Sequence, residues 1–528
     1  MKKFKLLLLV FTLFLSLGYI NVNAETGKTP GIITTKEDLL YYIYYYGGTA
    51  KISGNTIKLT KSLESNNKII FNNEENIVLD LNGNSIYFTS EVDGGIILYS
   101  NSKDFTITDT SNTNKDYIRA QKGITIYNNS RINKLKIENT TIVADSTSPA
   151  VYNYGTNTIN IDNSTIKAEK TGVSAGAEGT INIKNSNITL GNPTATNGIS
   201  VSNAKVTIEN TNITLSKTSS SGIAIETSGK DSELIIKSGT FSSKLNAIYI
   251  KDGKAIINGG TFESETSHAA RISKTATING GEFITKQAAG IQIMGDANVT
   301  LNELKTKTSS TSTLGGITIP MNAKLETYIP STSIINNNQT ETKSGMTYTT
   351  AKEIIISSLP KTKKLNTTTY NYNGSVRTPA VTVTNGLGKK LINNTDYKIT
   401  YQSGRKNVGK YYVQITYLGK YSNLKPEKLY FTINPKANKI SKITRGKKQM
   451  TVKVSKMRTQ TTGYQIQYST NKKFNSAKTY KISNKTTTKK IKNLKAKKKY
   501  YVRVRTYKVV NKTTYYSNWS SAKSIYIK

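Results

Sequence analysis

The sequence predicts an all-β protein in which a parallel β-helix is followed by two β-sandwich domains. Hydrophobic residues make up only 36% of the 528 residues, yet β-branched and aromatic residues are plentiful, which is typical of many short, half-buried strands. One apolar-x-apolar pattern recurs at intervals of about 21 to 28 residues between positions 76 and 320. Alternating strands separated by turn residues fill positions 361–528, as in sandwiches.

The first 24 residues have the three parts of a secretory signal peptide. Lys2, Lys3 and Lys5 precede an apolar run at residues 6–17, and residues 22–24 form a small-x-small cleavage motif. An uncleaved membrane anchor is the alternative, but the run is short for a bilayer. No second apolar stretch of spanning length follows. We therefore expect export, removal of residues 1–24, and no integral membrane segment afterwards.

A short helix is predicted at residues 35–47, ahead of the repeats. Thr35 and Asp38 have the spacing of a capping box, and Gly47 is a typical stop signal. The tyrosines at positions 41–46 could stack on a sugar, but packing on an open β edge is the commoner role. The helix is expected to cover the first coil with Leu39, Leu40, Ile43 and Tyr46.

The recurring pattern predicts stacked coils, because one such repeat cannot bury a core alone. Each repeat has at least two short strands, and the second often begins with a Gly-Ile or Gly-Val pair. The fixed Leu and Asn spacings of a leucine-rich repeat are absent, and a sandwich would lack this regular spacing. The central apolar residues of successive repeats are Ile137, Ile161, Ile183, Ile208, Ile236, Ile257, Ile278 and Leu301.

Two side-chain ladders should follow from the stacking of coils about 4.8 Å apart. Asparagine tolerates left-handed backbone, and its amide can bond the copy above; the series is Asn139, Asn163, Asn185 and Asn210. Gly259 and Gly280 are expected to supply the same geometry in later coils. The preceding outward positions form a partly compensating charge ladder of Glu138, Asp162, Lys184, Glu209 and Lys237.

Residues 79–86, Leu-Asp-Leu-Asn-Gly-Asn-Ser-Ile, and residues 106–110, Thr-Ile-Thr-Asp-Thr, carry a family resemblance. They resemble the opening coils of pectate-lyase-like, right-handed parallel β-helices in bacterial surface proteins. The resemblance covers about residues 30–345 and implies a right-handed β-helix. We expect the cap and β-helix together to form a domain over residues 25–357. It implies much less about activity.

Enzymes of this fold have clustered acidic residues, and this sequence shows no such cluster. Polygalacturonase-like enzymes need grouped aspartates and a Gly-His-Gly motif, and pectate lyases need acids for calcium and an Arg or Lys base. Glu138 and Asp162 are weak catalytic candidates, with Arg131 nearby in sequence, but outward repeat positions are polar anyway. A second weak group is Glu263, Glu265, His268 and Arg271. With no cysteine and one histidine, we predict no catalysis, no metal and no cofactor.

Charge is distributed very unevenly along the chain. Residues 361–528 contain 40 Lys and Arg against two acids, Asp396 and Glu427, whereas the remainder has 34 basic and 30 acidic residues. Self-repulsion at this density indicates an anionic counter-surface, although a merely soluble cationic surface is the alternative. The excess of lysine and asparagine is typical of a low-GC, Gram-positive genome. For an exported protein, teichoic acid or a similar wall polymer is then the expected partner, and nucleic acid is not.

The basic half divides into two modules. Residues 361–435 resemble the Ig-like spacers of Gram-positive surface proteins, through Tyr370-Asn371-Tyr372-Asn373-Gly374 and four alternating strands. Residues 436–528 resemble a fibronectin type III domain, through Gly463 to Tyr468 and a Leu494–Tyr500 tyrosine corner, although its usual early core tryptophan is missing. We expect Trp519 to be a packing residue. The densest basic segment, predicted to bind anionic polymer, is Lys489, Lys490, Lys492, Lys495, Lys497, Lys498 and Lys499.

The sequence therefore predicts a secreted protein of the cell wall or cell surface. Its basic domains are expected to hold it at the anionic wall, while the β-helix binds a glycan, a host surface ligand or a neighbouring cell in adhesion. Two alternatives are open. One is a polysaccharide lyase or glycoside hydrolase on the β-helix, and the other is an architectural spacer.

Overall fold

The computed structural model describes residues 32–89, 93–99, 102–111, 116–129, 134–309, 312, 314–337, 339–343 and 345–528. The predicted signal peptide, residues 1–24, lies outside the described residues. The chain divides into two compact units, one ending at Ser358 and the other beginning at Leu359.

The first unit begins with the expected capping helix, Lys36–Tyr45. The Thr35 side chain accepts a hydrogen bond from the Asp38 amide, and the Asp38 carboxylate accepts one from the Thr35 amide, which completes the capping box. The chain leaves the helix through Gly47, whose φ of 77° favours glycine. The helix buries Leu39, Leu40, Tyr42 and Ile43, and Tyr46 packs partly buried against the same core, as expected; the burial of Tyr42 was not foreseen.

Three mainly parallel sheets form the β-helix, and each full coil contributes one strand to each sheet. Sheet 1 contains Ile32–Ile33, Ile69–Phe71, Ile96–Leu98, Ile126–Asn128, Pro149–Asn153, Thr171–Ala175, Asn197–Ser202, Ile223–Ser228, Ile248–Ile250, Ala270–Ile272, Ile291–Ile293, Ile317–Pro320, Met346–Thr349 and Thr340–Lys343. Sheet 2 contains Thr49–Ser53, Thr56–Lys61, Ile77–Asp80, Phe105–Thr108, Lys134–Glu138, Thr158–Asp162, Thr180–Lys184, Lys205–Glu209, Glu233–Ile236, Lys254–Ile257, Thr275–Ile278 and Val299–Leu301.

Sheet 3 was not foreseen as a separate sheet, because its strands are short and follow sheet 2 after a tight turn. It contains Leu63–Ser65, Ile86–Phe88, Ile118–Ala120, Thr141–Ala144, Thr165–Ala168, Asn187–Leu190, Thr211–Leu215, Gly239–Ser243, Thr261–Ser264, Glu282–Thr285, Leu304–Thr308, Glu353–Ser358 and Ser333–Ile335. The last two strands pair antiparallel and cover the open edge left by Leu304–Thr308. A 3₁₀ turn at Leu325–Tyr328 precedes them.

The core lies inside the coils, where every second side chain points inward. The predicted central series stacks in one continuous register from Ile137 to Leu301, and all eight residues are buried. In sheet 3 the rings of Phe241, Phe262 and Phe283 stack with centroids 4.9 and 4.7 Å apart. The prediction of coils around a shared apolar interior is confirmed.

The asparagine turn is confirmed in its backbone and only in part as a ladder. The four predicted asparagines have φ between 46° and 55°. Asn163 donates to Asn139 and Asn210 donates to Asn185, both at 2.9 Å, but Asn185 donates to Asp162 instead of Asn163.

The expectation for Gly259 and Gly280 is wrong by one residue. Positive φ occurs at the second glycine of each pair, Gly260 and Gly281, in line with Gly239. Both residues of each pair are glycine, so either one can adopt the left-handed conformation. At Gly239 the same position also excludes a side chain, since a Cβ there would lie 2.1 Å from the Thr211 carbonyl oxygen of the coil before it. In the earlier coils the matching position holds the buried hydroxyl residues Thr140, Ser164, Ser186 and Thr211.

The second unit consists of mainly antiparallel sheets of the sandwich type, in which Thr369–Asn371 pairs in parallel with Glu427–Asn434. Its first part pairs Pro360–Leu365 with Val381–Asn385, and orders Thr369–Asn371, Glu427–Asn434, Gly409–Tyr417 and Tyr397–Tyr401 in a four-stranded sheet, with a 3₁₀ turn at Gly419–Tyr421. Its second part has one sheet of Ile440–Gly446, Gln449–Val454 and Thr488–Ile491, and another of Lys478–Ser483, Gly463–Ser469, Lys499–Val510, Thr513–Tyr516 and Lys523–Tyr526. The predicted tyrosine corner is present, since the Tyr500 hydroxyl accepts from the Lys495 amide at 3.0 Å.

The fold class is therefore confirmed as all-β, with a β-helix followed by separate antiparallel sheets. Among the described residues, no helix has the length and apolar character needed to cross a bilayer.

Candidate binding surfaces

The predicted basic segment runs from the end of strand Thr488–Ile491 through a loop to the start of strand Lys499–Val510. Lys490, Lys492, Lys495, Lys497, Lys498 and Lys499 are all exposed. Lys489 differs, because it is half-buried and its ammonium lies 4.5 Å from the centre of the Tyr480 ring. Lys499 is exposed, but its ammonium also lies 5.7 Å from the centre of the Tyr501 ring, so five of the seven predicted lysines present surface charge without an aromatic contact.

Backbone hydrogen bonds bring other lysines to the same end of the second module. The Leu494 amide donates to the Lys448 carbonyl at 2.9 Å, in the hairpin turn that follows Gly446. The Lys497 amide donates to the Ile527 carbonyl, and the Lys448 amide to the carbonyl of the final Lys528. We call this surface the basic end: Lys447, Lys448, Lys492, Lys495, Lys497, Lys498 and Lys528, all exposed.

The two acids of residues 361–528 are both used within the fold. Asp396 accepts from the Ile392 amide at 2.8 Å and so closes a turn. Glu427 accepts from the Tyr417 hydroxyl at 2.7 Å and pairs with Lys363 at 2.9 Å. Burial raises the pKa of Glu427, but its bonds to Lys363 and Tyr417 outweigh burial and lower it overall. Neither acid lies in the second module, so no carboxylate side chain there can neutralise the basic end.

In the β-helix, unlike the second unit, acidic and basic side chains occur in similar numbers and form ion pairs. Two outward acids of sheet 2 lie between lysines of the coils before and after them. Glu233 contacts Lys205 at 3.6 Å and Lys254 at 3.5 Å, and Glu209 contacts Lys184 at 3.8 Å and Lys237 at 3.0 Å. The predicted charge ladder is therefore present, with Glu138, Asp162, Lys184 and Glu209 in register. Both units are encoded by the same genome, and only the second has an excess of basic residues. Genomic base composition therefore does not explain that excess.

The weak catalytic candidates lie on that ladder. Glu138 and Asp162 are direct cross-strand partners on the outward face of sheet 2. Glu138 contacts Lys136 at 2.6 Å, and Asp162 accepts from the side-chain Nδ2 of Asn185 at 2.9 Å. Both carboxylates are thus held by neighbours of the repeat. Arg131, considered as their companion, lies outside the described residues.

The second weak group is not assembled as an acid–base site. Glu265 pairs with Lys286 at 2.6 Å and with Lys217 at 3.2 Å, and these contacts lower its pKa. Burial lowers the pKa of His268 to about 4, and its Nδ1 lies 3.1 Å from the Ala289 carbonyl. The guanidinium of Arg271 lies over the Tyr249 ring at 5.0 Å. Glu263 faces solvent on the neighbouring sheet 3 strand. No group of three or more potential metal ligands occurs among the described residues.

Sheet 1 carries a tyrosine cluster that the sequence reasoning missed. Tyr127 and Tyr152 are cross-strand partners, and their rings stack at 5.5 Å with an interplanar angle of 25°. Tyr154 lies 5.9 Å from Tyr152, and it and Tyr99 are among the most exposed tyrosines of the β-helix. The coil spacing of 25 residues could have revealed the pair. The cluster therefore combines two half-buried rings, Tyr127 and Tyr152, with two exposed ones, Tyr99 and Tyr154.

A buried acid pair near the start of the β-helix was also missed. Asp109 and Asp116 share a hydrogen bond and are almost inaccessible to solvent. Burial and the neighbouring Asp109 raise the pKa of Asp116 to about 6. Burial also raises the pKa of Asp109, but hydrogen bonds from Ser111 and Gly83 outweigh it and lower the pKa overall.

This pair predicts that the β-helix is less stable at pH 7 than at pH 5. The folded pKa of Asp116 lies above its ordinary value of 3.8. The stability it contributes is therefore complete below that value and is lost as the pH rises through about 6. Between pH 5 and 7 the free energy of unfolding should fall by about 1 kcal/mol. Asp116→Asn should flatten this dependence, measured by urea unfolding followed by circular dichroism. Equal pH slopes in the two proteins would contradict the assignment.

Comparison with known proteins adds little to the geometry. No family model matches the chain, and no curated protein matches it. Among solved structures, it is similar to the crystal structure of chicken CNTN1 FN1–FN3 domains, with 13% identity over 36% of this chain and 84% of that chain. The TM-score is 0.18, which is too low to carry a functional argument.

Proposed function

We propose that this is a secreted, non-catalytic binding protein of a Gram-positive cell surface, retained at the wall by its basic second unit. The proposal rests on one observation above all. The second unit has 40 basic residues against two acids, and both acids are used inside the fold. A surface this unbalanced is stabilised by a polyanion that releases its counter-ions on binding.

The wall polymer proposed is teichoic acid or a similar polyol phosphate. The N-terminal signal pattern supports export, and export favours a wall polymer over nucleic acid. The pectate-lyase-like resemblance supports a glycan-facing role for the β-helix, and the exposed Tyr99 and Tyr154, beside the half-buried Tyr127 and Tyr152, offer an aromatic face for it. The engaged carboxylates of Glu138 and Asp162 favour binding over cleavage.

Sedimentation of the mature chain with isolated Gram-positive walls tests this proposal. We expect the protein to pellet with walls at about 0.1 M salt and to be released at about 0.5 M, where screening shortens the reach of each charge to a few ångströms. Walls from which teichoic acid has been extracted should retain little protein at either concentration. Unchanged retention on extracted walls would refute the proposal, as would release that does not depend on salt.

A further inference from the structure

The last module has a ladder of alternating arginines and aromatic rings on one face of its five-stranded sheet. Trp519, the single tryptophan of the chain, contacts the guanidinium groups of Arg503 at 4.6 Å and Arg505 at 4.3 Å. Arg503 also lies 4.1 Å from the centre of the Phe474 ring, and Arg505 lies 3.9 Å from that of Tyr516. Each guanidinium is thus in contact with two aromatic rings.

The backbone fixes Trp519 against this strand. The amides of Val504 and Thr506 donate to the hydroxyls of Ser520 and Ser517, both at 3.0 Å. In return, the amides of Ser520 and Ser517 donate to the carbonyls of Val504 and Thr506. The prediction that Trp519 packs rather than projects agrees with its half-buried position. The same contacts hold both arginines in place.

Each guanidinium is fixed at one nitrogen and open at the other two. Arg503 Nε donates to Gln467 Oε1 at 2.6 Å, and Arg505 Nε donates to Gln465 Oε1 at 2.5 Å. Within residues 345–528, all of which the structure describes, the Nη atoms of both arginines have no hydrogen-bond partner. Burial lowers the pKa of both groups, as expected for cations that lack a counter-ion.

Pre-organised guanidinium forks bind oxyanions more tightly than flexible lysines do. Two parallel N–H groups match two oxygens of a phosphate, and little side-chain entropy remains to be lost when the fork is already held. Arg503 and Arg505 are two residues apart on one strand, so the forks are separated by roughly 7 Å. A polyol-phosphate chain with a short repeat can bring successive phosphates to both.

We propose that Arg503 and Arg505 form a phosphodiester-binding site, which takes successive phosphates of the polymer that the basic end attracts. This inference rests on the proposed function, because it assumes that polymer as ligand. It adds recognition of the phosphate group itself to the general attraction of the lysines. Conversion of either arginine to lysine keeps the charge and removes the fork, which separates the two contributions.

The test uses the full mature chain and soluble poly(glycerol phosphate), followed by the fluorescence of Trp519. We expect a saturable change in emission. Arg503→Lys with Arg505→Lys should weaken the affinity about tenfold to a hundredfold, since charge-assisted hydrogen bonds are lost. The matched control, Arg445→Lys with Arg458→Lys, changes two exposed arginines of the same module and should leave the affinity unchanged.

A second variant keeps the test decisive if the double arginine change impairs folding. Gln465→Glu with Gln467→Glu places a carboxylate beside each guanidinium and should weaken polymer binding while leaving the ladder intact. Binding to immobilised polymer is measured in parallel.

If the arginine variant binds as the wild type does, with no change in Trp519 emission, the site is refuted and the proposed function stands. If no protein binds polymer, the proposed function itself fails. An equal response to polygalacturonate would overturn the assignment to phosphate.

Discussion

Phe262→Ala should lower the free energy of unfolding of the β-helix by about 3–5 kcal/mol. The ring of Phe262 is fully buried and lies between Phe241 and Phe283, with interplanar angles of 22° and 7°. Its removal leaves a cavity inside the coil and interrupts both stacking contacts. Because each coil contacts only its neighbours, the loss is not shared by a larger core.

Glu263→Ala is the matched control, since it changes the next residue of the same strand on the outward face. We expect a change below about 0.5 kcal/mol for this exposed side chain. Urea unfolding followed by circular dichroism reports mainly on the strands of the β-helix, whereas Trp519 fluorescence reports on the second unit. Equal stability of the two variants would show that the phenylalanine ladder does not support the coils.

Replacement of the six exposed lysines of the basic segment by glutamine should weaken polymer binding at about 0.1 M salt by a hundredfold or more. The changes are Lys490, Lys492, Lys495, Lys497, Lys498 and Lys499, each to Gln. These side chains are exposed, so the fold should tolerate the substitutions. Lys489 is kept because its ammonium contacts the Tyr480 ring.

A charge-matched control separates the position of the lysines from their number. Six exposed lysines of the first module are changed to Gln instead: Lys361, Lys364, Lys390, Lys398, Lys406 and Lys425. Both variants lose the same net charge. We expect the control to bind several-fold more tightly than the basic-segment variant, because only the latter loses the lysines near the basic end.

The repeat period allowed the β-helix to be predicted from the sequence. Isoleucines from Ile137 onwards recur at the coil spacing, and a register error would have turned every one of them to solvent. The third sheet was missed because, in most coils, its strands follow sheet 2 after only two or three residues and read as the end of the same strand. The glycine position was wrong by one because two adjacent glycines have the same conformational freedom, and the sequence does not show which of them takes the positive φ.

The candidate surfaces were predictable only where charge alone defines them. The excess of lysine in residues 361–528 is visible in the sequence, whereas the use of Asp396 and Glu427 inside the fold is not. The Arg503–Trp519–Arg505 contacts join segments 14 to 16 residues apart, and no local motif marks them. In the sequence, Asp109 and Asp116 likewise look like ordinary polar positions. Only the fold shows that they are buried and that the pKa of Asp116 is raised.

The dependence of polymer affinity on salt tests the central claim most directly. The affinity of the mature chain for immobilised poly(glycerol phosphate) is measured between about 0.05 and 0.5 M salt for the wild type, the basic-segment variant and the charge-matched control. We predict a steep linear fall of log K with log salt for the wild type, and a slope shallower by up to about 4 for the basic-segment variant. A wild-type affinity that is absent, or that does not change with salt, would contradict the claim that unbalanced charge holds this protein at an anionic polymer.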